Sequence, residues 1–590
     1  MNAHAAKQGL AAAIGFPLIM KGVRTRLRPT RLLTWAAVTV VAATFLYSLV
    51  YWNTTQHGNT TPDAASRAVI VPLMVMQGVI LMGLGTGAVA GGMAKERTYR
   101  LLDYQRLTPM PPSAKIIGML LGLPIREYFM FALTLPFVGW AAYRGGLNPW
   151  VLFQFYVVFL SSVLVYHMTA LAAGMAVSKP WRAGAFAQGM VVVLYLLLPQ
   201  FSQFGFTFFE YLTVRPTFLG LVQVHLMSDG LSSEVWRESL QAYRWESVAF
   251  FNMQIPPTVF SLVVQGFALV SMYTIVSRKW GGESRLSFSK PFALVFFIIT
   301  QVFLLGNLIP FIYNDQLFQD LARGVASGAS VRGDENQVGV LTVLLVTLAV
   351  SGVVCLAVIH MTTSTWHQSV HGLRRHRKRG SDERLSWTDD AATSLPLALS
   401  LGLVSCISFV IIYHHAMSAG RISMGSDYGN VLVALLLYLG VLMTGQQLRE
   451  QGGERIFVMG LFCGWIVPAL TMIVVLSAFG RMVMAGYISL PFPAAGFYIA
   501  GVMMVDDTTS ATANRELMPE PVAAHMRTML TMSVAGYWVV ALGLVLRSRR
   551  RWQRIESVVS GSKERAERQD DSSVTMPAEY PPVPQPQAAN

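Results

Sequence analysis

Charged side chains are scarce in this sequence. Asp, Glu, Lys and Arg make up 13% of its 590 residues, whereas soluble domains carry roughly 25%. Hydrophobic residues make up 53%, and several apolar stretches exceed the roughly 18 residues that a helix needs to cross a bilayer. The scarcity of charge therefore predicts an integral membrane protein. Basic cytoplasmic loops explain the net charge of +14 better than nucleic-acid binding does.

The motifs of most enzymes and of nucleotide-binding proteins are also missing. The sequence has no Gly-Lys pair and hence no GxxxxGK[ST] phosphate loop, and it has neither HExxH nor GxSxG. Its three cysteines, Cys355, Cys406 and Cys463, lie in apolar segments without a CxxC spacing. That placement is typical of buried thiols rather than of disulfides or metal sites. These absences predict a chain with no catalytic residue, cofactor or metal of its own.

Few ionisable residues lie inside the apolar stretches. His167 is either a neutral histidine hydrogen-bonded within a helix bundle or a group that couples transport to an ion. Arg126 and Glu127 are expected at the end of a span, paired with each other or reaching toward the surface. Asp506 and Asp507 form a carboxylate pair that is solvated, catalytic or cation-binding. Such a core is poorly equipped for proton or sodium coupling.

What the sequence does contain is a series of long apolar segments. Their lengths predict an all-α polytopic fold of about twelve transmembrane helices. The predicted spans are 32–51, 69–93, 125–143, 151–177, 184–201, 257–276, 291–313, 338–360, 392–414, 431–446, 456–479 and 528–546. With a cytoplasmic amino terminus, 33 of the 45 Lys and Arg residues fall in cytoplasmic pieces and 10 in outer pieces. This excess predicts that both termini are cytoplasmic.

The spans divide into two sets of six with the same layout. The predicted parts are a basic segment (1–31), a first half (32–290) with a cytoplasmic loop (94–124), a second half (291–546) with an outer segment (481–527), and a tail (547–590). In each half the longest cytoplasmic loop follows the second span, and the longest outer segment precedes the sixth. This layout predicts a parallel pseudo-repeat.

Three of these parts have predicted features of their own. Residues 7–28 form either a helix lying on the membrane surface or a frayed basic tail. In the outer segment, Pro491 and Pro493 interrupt an apolar stretch and predict a re-entrant or surface helix. The tail is basic and then, from Ser557, proline-rich and disordered.

The loop after the second span reads KERTYRLLDYQRLTPMPPSAKIIG from Lys95 to Gly118. Residues 96–107 are predicted to form a short amphipathic helix. The prolines of TPMPP end it, because proline cannot continue a helix. A rigid helix of this kind suits docking against another protein, and an ordinary charged turn is the alternative.

This ordered set of features resembles the permease subunits of type-2 ABC exporters: a second span, a Glu-Arg pair, a leucine-rich turn, a TPMPP element and a basic return to the membrane. The likeness covers residues 90–137 well and the layout of 8–276 loosely. It implies two six-helix, exporter-like halves, a surface helix before the first span and short outer helices before the sixth. It also implies a coupling helix that docks on a separate ATPase subunit, which would bind the ATP. The residues implied at that contact are Glu96, Arg97, Leu101, Asp103, Arg106, Thr108 and Pro109.

The corresponding loop of the second half departs from this pattern. It reads TWHQSVHGLRRHRKRGSDERLSWTDD and lacks the TPMPP element. Residues 366–390 are expected to dock a second ATPase in another way, to face anionic lipid, or only to mark the cytoplasmic side.

On this resemblance the chain is expected to be a multi-pass permease of an ATP-driven exporter in the bacterial inner membrane, with its cargo left open. The alternatives are a secondary transporter with repeated halves, a membrane enzyme acting on lipid-linked substrates, and a scaffold that binds partners through its tail. The secondary transporter requires paired charges and unwound helices near the bilayer midplane. The enzyme requires clustered acids and histidines.

Overall fold

The computed structural model describes most of the chain. The described residues are 16–57, 61–108, 110–177, 179–222, 247–281, 286–329, 335–378, 386–422, 428–462, 467, 470–471, 482–505 and 525–573. Of the residues singled out above, Pro109, Cys463, Asp506, Asp507 and most of the predicted span 456–479 lie outside them.

The described chain is almost entirely helical. Its first part contains α1 (Phe16–Arg26), α2 (Pro29–His57), α3 (Pro62–Gly78), α4 (Thr86–Thr98), α5 (Leu101–Leu107), α6 (Pro112–Gly122), α7 (Ile125–Arg144), α8 (Pro149–Ala176), α9 (Pro180–Leu197), α10 (Phe208–Tyr211), α11 (Arg215–Leu221) and α12 (Pro257–Trp280). Its second part contains α13 (Lys290–Tyr313), α14 (Asp315–Ala329), α15 (Glu335–Thr362), α16 (Trp366–Lys378), α17 (Leu395–Ser418), α18 (Tyr428–Leu461), α19 (Met482–Ser489), α20 (Pro493–Val505) and α21 (Met526–Ser573).

Three other elements complete the described backbone. A π-helical segment, Val79–Gly85, joins α3 to α4, and a 3-10 segment, Leu198–Phe204, follows α9. Strands β1 (Val248–Phe250) and β2 (Met253–Ile255) pair as a small antiparallel hairpin before α12.

Among the described residues, ten helices are long and apolar enough to cross a membrane, and the bent pair α6–α7 makes eleven. In order, these match eleven of the twelve predicted spans; the remaining one is 456–479. Several begin at proline, as α3, α8, α9 and α12 do, because its fixed φ suits the first helical turn and its missing N–H has no partner there. The chain is thus a multi-pass helical membrane protein.

Large apolar side chains cover the outside of the helix bundle. On α2, Leu33, Val41 and Phe45 are 70%, 67% and 61% exposed. Water would make such a surface unfavourable by about 25 cal/mol for each Å² of apolar area, whereas lipid tails are as apolar as these side chains. A lipid environment therefore explains why the spanning helices are apolar on all sides.

Ion pairs join segments that the distribution of basic residues places on the same side. At one end of the bundle, Arg278 Nη2 lies 2.5 Å from Asp390 Oδ2. At the opposite end, Arg421 Nη2 lies 2.5 Å from Asp315 Oδ1. The first pair joins two predicted cytoplasmic pieces and the second joins two predicted outer pieces. We call the end that holds Arg278 and Asp390 the basic end.

The spanning helices pack in a similar order in the two parts of the chain. In the first part, α2 packs on α3 and α7, α3 packs on α7, α4 packs on α8, and α8 packs on α12. In the second part, α13 packs on α15 and α17, α15 packs on α17 and α18, and α18 packs on α21. Aromatic rings join the two parts: Phe267 of α12 stacks on Phe296 of α13, with 5.2 Å between ring centroids.

The segment at one end of the chain lies within the predicted helix, and the segment at the other end differs from the prediction. The first described helix, α1, covers Phe16–Arg26, and residues 7–15 of the predicted helix lie outside the described chain. A Cβ on Gly22 would overlap the carbonyl group of Gly122, so α1 lies backbone to backbone against α6. At the other end, α21 continues to Ser573, beyond Ser557 where irregular structure was predicted. The good helix formers of KERAERQ in this stretch favour that extension.

The chain reverses direction within α18, although its helical hydrogen bonding continues. A Cβ on Gly460 would lie 2.7 Å from Leu448 Cδ1, whereas residues twelve apart in a straight helix are about 18 Å apart. The reversal falls between Leu448 and Gly460, where the sequence predicted a cytoplasmic loop over 447–455.

Helices α19 and α20 form a hairpin whose tip reaches into the bundle. Ser533 Oγ donates to the Leu490 carbonyl at 3.1 Å, and Tyr537 OH donates to the Pro491 carbonyl at 2.5 Å. Both donors lie in the spanning part of α21. The turn carbonyls that the prolines free are therefore satisfied by side chains of a neighbouring helix, as the bilayer interior requires.

Candidate functional site

The loop between α4 and α6 folds into a short helix bounded by two sharp turns. Arg100 has a left-handed backbone (φ 56°, ψ 17°) and separates α4 from α5. Thr108 is extended and ends α5, and its Oγ1 donates to the Gln105 carbonyl at 2.7 Å. The single helix predicted over 96–107 is therefore wrong, because the left-handed residue breaks it. That conformation costs about 1–2 kcal/mol for a residue with a Cβ, which the surrounding contacts must offset.

Glu96 and Arg97 belong to the end of α4 and make contacts within the protein. Lys21 Nζ of α1 lies 2.7 Å from Glu96 Oε1, and Gln105 Nε2 donates to Glu96 Oε2 at 3.2 Å. Arg97 Nη1 donates at 2.6 Å to the carbonyl oxygen of Met175, at the end of α8. The last carbonyls of a helix have no partner within it and carry partial negative charge. Both predicted contact residues thus tie α4 to its neighbours.

Arg106 ties α5 to the end of another spanning helix. Its Nε and Nη2 donate to the carbonyl oxygens of Trp280 (3.0 Å) and Lys279 (3.2 Å), the last residues of α12. Its Nη1 lies 2.7 Å from Asp103 Oδ1, whose side chain is 64% exposed. Because Arg106 makes these hydrogen bonds, a movement of α5 would displace or break its contacts with the end of α12.

Lys115 of α6 fixes the last turn of α5 through hydrogen bonds from its ammonium group. Its Nζ donates to the carbonyl oxygens of Gln105 (2.6 Å) and Thr108 (3.1 Å), and the residue is 4% exposed. Leu102, also on α5, is 3% exposed and packs with Met93 of α4 and Met119 of α6. One side of α5 is thus fixed to the bundle by both polar and apolar contacts.

The other side of α5 presents large apolar and aromatic side chains. Tyr99, Leu101, Tyr104 and Leu107 are 64%, 41%, 71% and 85% exposed; we call these four residues the docking face. They lie at the basic end, directly after the candidate span Pro62–Thr98. Among the predicted contact residues, only Leu101 belongs to this face and Asp103 flanks it, while Thr108 caps α5. Tyr99, Tyr104 and Leu107 were missed, although the three-residue spacing of Leu101, Tyr104 and Leu107 was a signal for them.

A buried polar network surrounds the π-helical segment between α3 and α4. His167 of α8 is fully buried, and its Nε2 lies 3.0 Å from the Leu81 carbonyl of this segment. A carbonyl only accepts, so Nε2 carries the proton, and Nδ1 accepts from Tyr128 OH of α7 at 3.0 Å. His167 is thus a buried bundle residue with a hydrogen-bond partner at each ring nitrogen, the arrangement that the first of its two predicted alternatives requires.

The π-helical segment itself is glycine-rich. A Cβ on Gly85 would lie 2.7 Å from His167 Nε2, so only glycine allows this approach. Gln188 of α9 donates to the Gly83 carbonyl at 3.3 Å. Single π-helical turns loosen the regular hydrogen-bond ladder and often occur at functional positions. This π-helical segment immediately precedes α4, the helix that ends beside the docking face.

The loop that follows α15 has a different character. Its helix α16 buries Leu373 against Ile555 of α21 and exposes Arg374 and Arg375.

Arg126 and Glu127, at the start of α7, form a pair with 2.5 Å between Nη2 and Oε1. Among the described residues no group of three His, Cys, Asp or Glu side chains could hold a metal ion.

Comparisons with known proteins add no relative: no family model matches the sequence, and no curated protein or solved structure is detectably similar to it.

Proposed function

We propose that this chain is the permease subunit of an ATP-driven exporter of the type-2 ABC class, and that the docking face binds a separate ATPase subunit. The observation that carries the proposal is the exposure of Tyr104 and Leu107, at 71% and 85%, on a short helix that is otherwise firmly anchored. A rigid, exposed patch of aromatic and aliphatic side chains beside charged residues is typical of a protein-binding surface.

The anchors of α5 give such a partner a way to act on the membrane part. Arg106 reaches the end of α12, Arg97 reaches the end of α8, and Glu96 reaches Lys21 on α1. In this proposal a displacement of the ATPase moves α5 and α4 together, and the π-helical segment Val79–Gly85 absorbs the change within the span. Because this sequence lacks a phosphate loop, ATP is bound by the partner.

The packing order supports two six-span halves on one chain. Each half then supplies the same set of contacts between its first and second, first and third, second and third, second and fourth, and fourth and sixth spans. The short helices α10 and α11 precede the sixth span of the first half, as the resemblance implies. The excess of basic residues supports a cytoplasmic location for the basic end and both termini, and the resemblance favours a bacterial inner membrane.

An apolar cavity supports an amphipathic or lipidic cargo. It has a volume of about 430 Å³ and lies between α15, α18, the α19–α20 turn and α21, with Thr444, Ser533 and Tyr537 in its lining. All three of these hydroxyl groups already donate to backbone carbonyls. The remaining surface offers mainly apolar contacts, and its size falls within the range of about 300–1,000 Å³ typical of small-molecule sites.

The test is recovery of an ATPase with the protein from its native membrane. A tagged chain is purified gently, and stoichiometric partners are identified by mass spectrometry. The variant Tyr104→Asp with Leu107→Asp is expected to lose the ATPase, because truncating a central interface residue typically costs about 2 kcal/mol or more and the introduced charges oppose burial. The matched control is Trp387→Asp, which changes an aromatic side chain 47% exposed at the same end of the bundle. Absence of an ATPase from the wild-type preparation, or its retention by the double variant, contradicts the proposal.

A secondary transporter is the second candidate, because the bent pair α6–α7 and the buried Glu127 resemble the broken helices of that class. Glu127 lies just after the bend between the two helices, and its carboxylate is paired with the neighbouring Arg126. Transport that persists without ATP and stops when the proton and sodium gradients are dissipated would favour this candidate.

A further inference from the structure

One face of α21 stays exposed as the helix leaves the bundle at the basic end. Val539, Leu542 and Leu546 are 70%, 55% and 59% exposed, and Arg550 and Arg554 continue this face, also exposed. Spacings of three and four residues put all five side chains on one side of the helix. The side that contacts acyl chains thus becomes cationic about 6 Å beyond Leu546, the depth at which lipid headgroups lie.

The opposite face of α21 holds these arginines in a fixed position. Ile555 is 2% exposed and packs against Leu373 of α16. Trp552 Nε1 donates to Glu450 Oε1 of α18 at 3.0 Å. Arg551, on this inner face, donates to the Gln451 carbonyl. The exposed arginines therefore stand on a helix packed against two neighbours and not on a loose tail.

Helix α16, which packs on α21 through Leu373 and Ile555, carries two further cations. Arg374 and Arg375 directly follow the buried Leu373 and are exposed. None of the ion pairs within the described ranges involves Arg374, Arg550 or Arg554. This surface is cationic where the docking face of α5 is apolar and aromatic, so the two surfaces fit partners of different chemistry.

We propose that the end of α21 forms a binding site for the phosphate headgroups of anionic phospholipids, built from Arg550 and Arg554 below the exposed Leu542 and Leu546. Guanidinium groups bind phosphate through paired N–H donors, and the apolar side chains above them accommodate the acyl chains of the same lipid. Each basic side chain near an anionic leaflet strengthens binding by about fivefold. The inference does not depend on the proposed ATPase.

The test counts lipids bound to the purified full-length chain by native mass spectrometry during titration with phosphatidylglycerol or phosphatidylcholine. The variant Arg550→Gln with Arg554→Gln is expected to weaken phosphatidylglycerol binding about 30-fold, which is two such steps, and to leave phosphatidylcholine binding unchanged. The matched control is Arg144→Gln with Arg527→Gln, which removes two exposed arginines at the opposite end. It is expected to bind both lipids as the wild type does.

A charge-retaining pair, Arg550→Lys with Arg554→Lys, separates binding from folding and is expected to keep most of the phosphatidylglycerol affinity. Unchanged phosphatidylglycerol binding by the Gln pair overturns the proposal. An equal loss of both lipids overturns it too, because that result reports general destabilisation. Loss of a bound protein subunit with unchanged lipid binding would instead assign this surface to a protein partner.

Discussion

Lys115 is the contact whose removal best tests how α5 is held. Its ammonium group donates to the carbonyl oxygens of Gln105 and Thr108 at 2.6 and 3.1 Å, and its stem is buried beneath the helix. In Lys115→Met an unbranched side chain of similar length keeps the packing and removes both hydrogen bonds. The docking face would then lose the support of its last turn while every exposed side chain stays the same.

The magnitude follows from the chemistry of these two bonds. A hydrogen bond to a charged group contributes about 1.5–3 kcal/mol, and water can replace part of it at the rim of the loop. A total loss of about 2–3 kcal/mol corresponds to a 30- to 150-fold larger population of the opened turn. Amide exchange in residues 101–108 should accelerate by the same factor, because exchange from a native protein follows the local opening equilibrium.

Hydrogen–deuterium exchange with mass spectrometry on peptides covering 99–110 measures this acceleration. The comparison variant is Thr108→Val, which removes one neutral hydrogen bond to the same Gln105 carbonyl and should accelerate exchange only about fivefold, since such a bond contributes about 1 kcal/mol. Peptides from α8 and α17 should exchange as in the wild type. Unchanged protection of 101–108 in Lys115→Met would refute the reasoning and leave Arg106 and Leu102 as the contacts that fix α5.

The remaining predictions concern packing and pH. Gly85→Ala should destabilise the protein by about 1–3 kcal/mol, the cost of leaving buried polar groups unpaired, because its Cβ would lie 2.7 Å from His167 Nε2; thermal unfolding in detergent measures this. Gly83→Ala, whose Cβ meets nothing within 4 Å, should leave the midpoint unchanged, and equal effects of the two would contradict the close approach. At the outer helix α10, burial raises the pKa of the Glu210 carboxyl, so the folded chain binds this proton more tightly than the unfolded chain. That contribution to stability is present at low pH and is lost as the pH rises from about 4.5 through the folded pKa. Glu210→Gln should remove this part of the fall in the free energy of unfolding between pH 4 and pH 8, measured by denaturation. An unchanged pH profile of the variant would exclude this contribution.

The positions of most spanning helices could be predicted from the sequence, because each depends on the length of one apolar stretch. Eleven predicted spans reappear among the helices long enough to cross a membrane. Helix ends and breaks were less predictable. The left-handed Arg100 that separates α4 from α5 carries no local signal such as glycine, so this break depends on contacts with other helices. The reversal within α18, in contrast, coincides with the predicted loop over 447–455 and with Gly452 and Gly453.

The candidate site, too, could be predicted from the sequence only in part. The sequence pointed to the loop after the second span, since charge, leucine and proline follow one another there. It could not decide which side chains face outward, because Glu96, Arg97 and Arg106 find their partners on α1, α8 and α12, which are remote in the chain. The three-residue spacing of Leu101, Tyr104 and Leu107 marks one face of the helix, but the spacing alone does not say whether that face is buried or exposed.

The sequence alone therefore determined that this chain crosses a membrane many times and that basic residues gather on one side of it, because transfer free energies and charge bias act residue by residue. Only the tertiary structure decided that Glu96, Arg97 and Arg106 make contacts within the protein while Tyr99, Tyr104 and Leu107 are exposed. It also decided that Arg550 and Arg554 stand on a helix packed against its neighbours. These outcomes depend on distances between helices, which local composition does not encode.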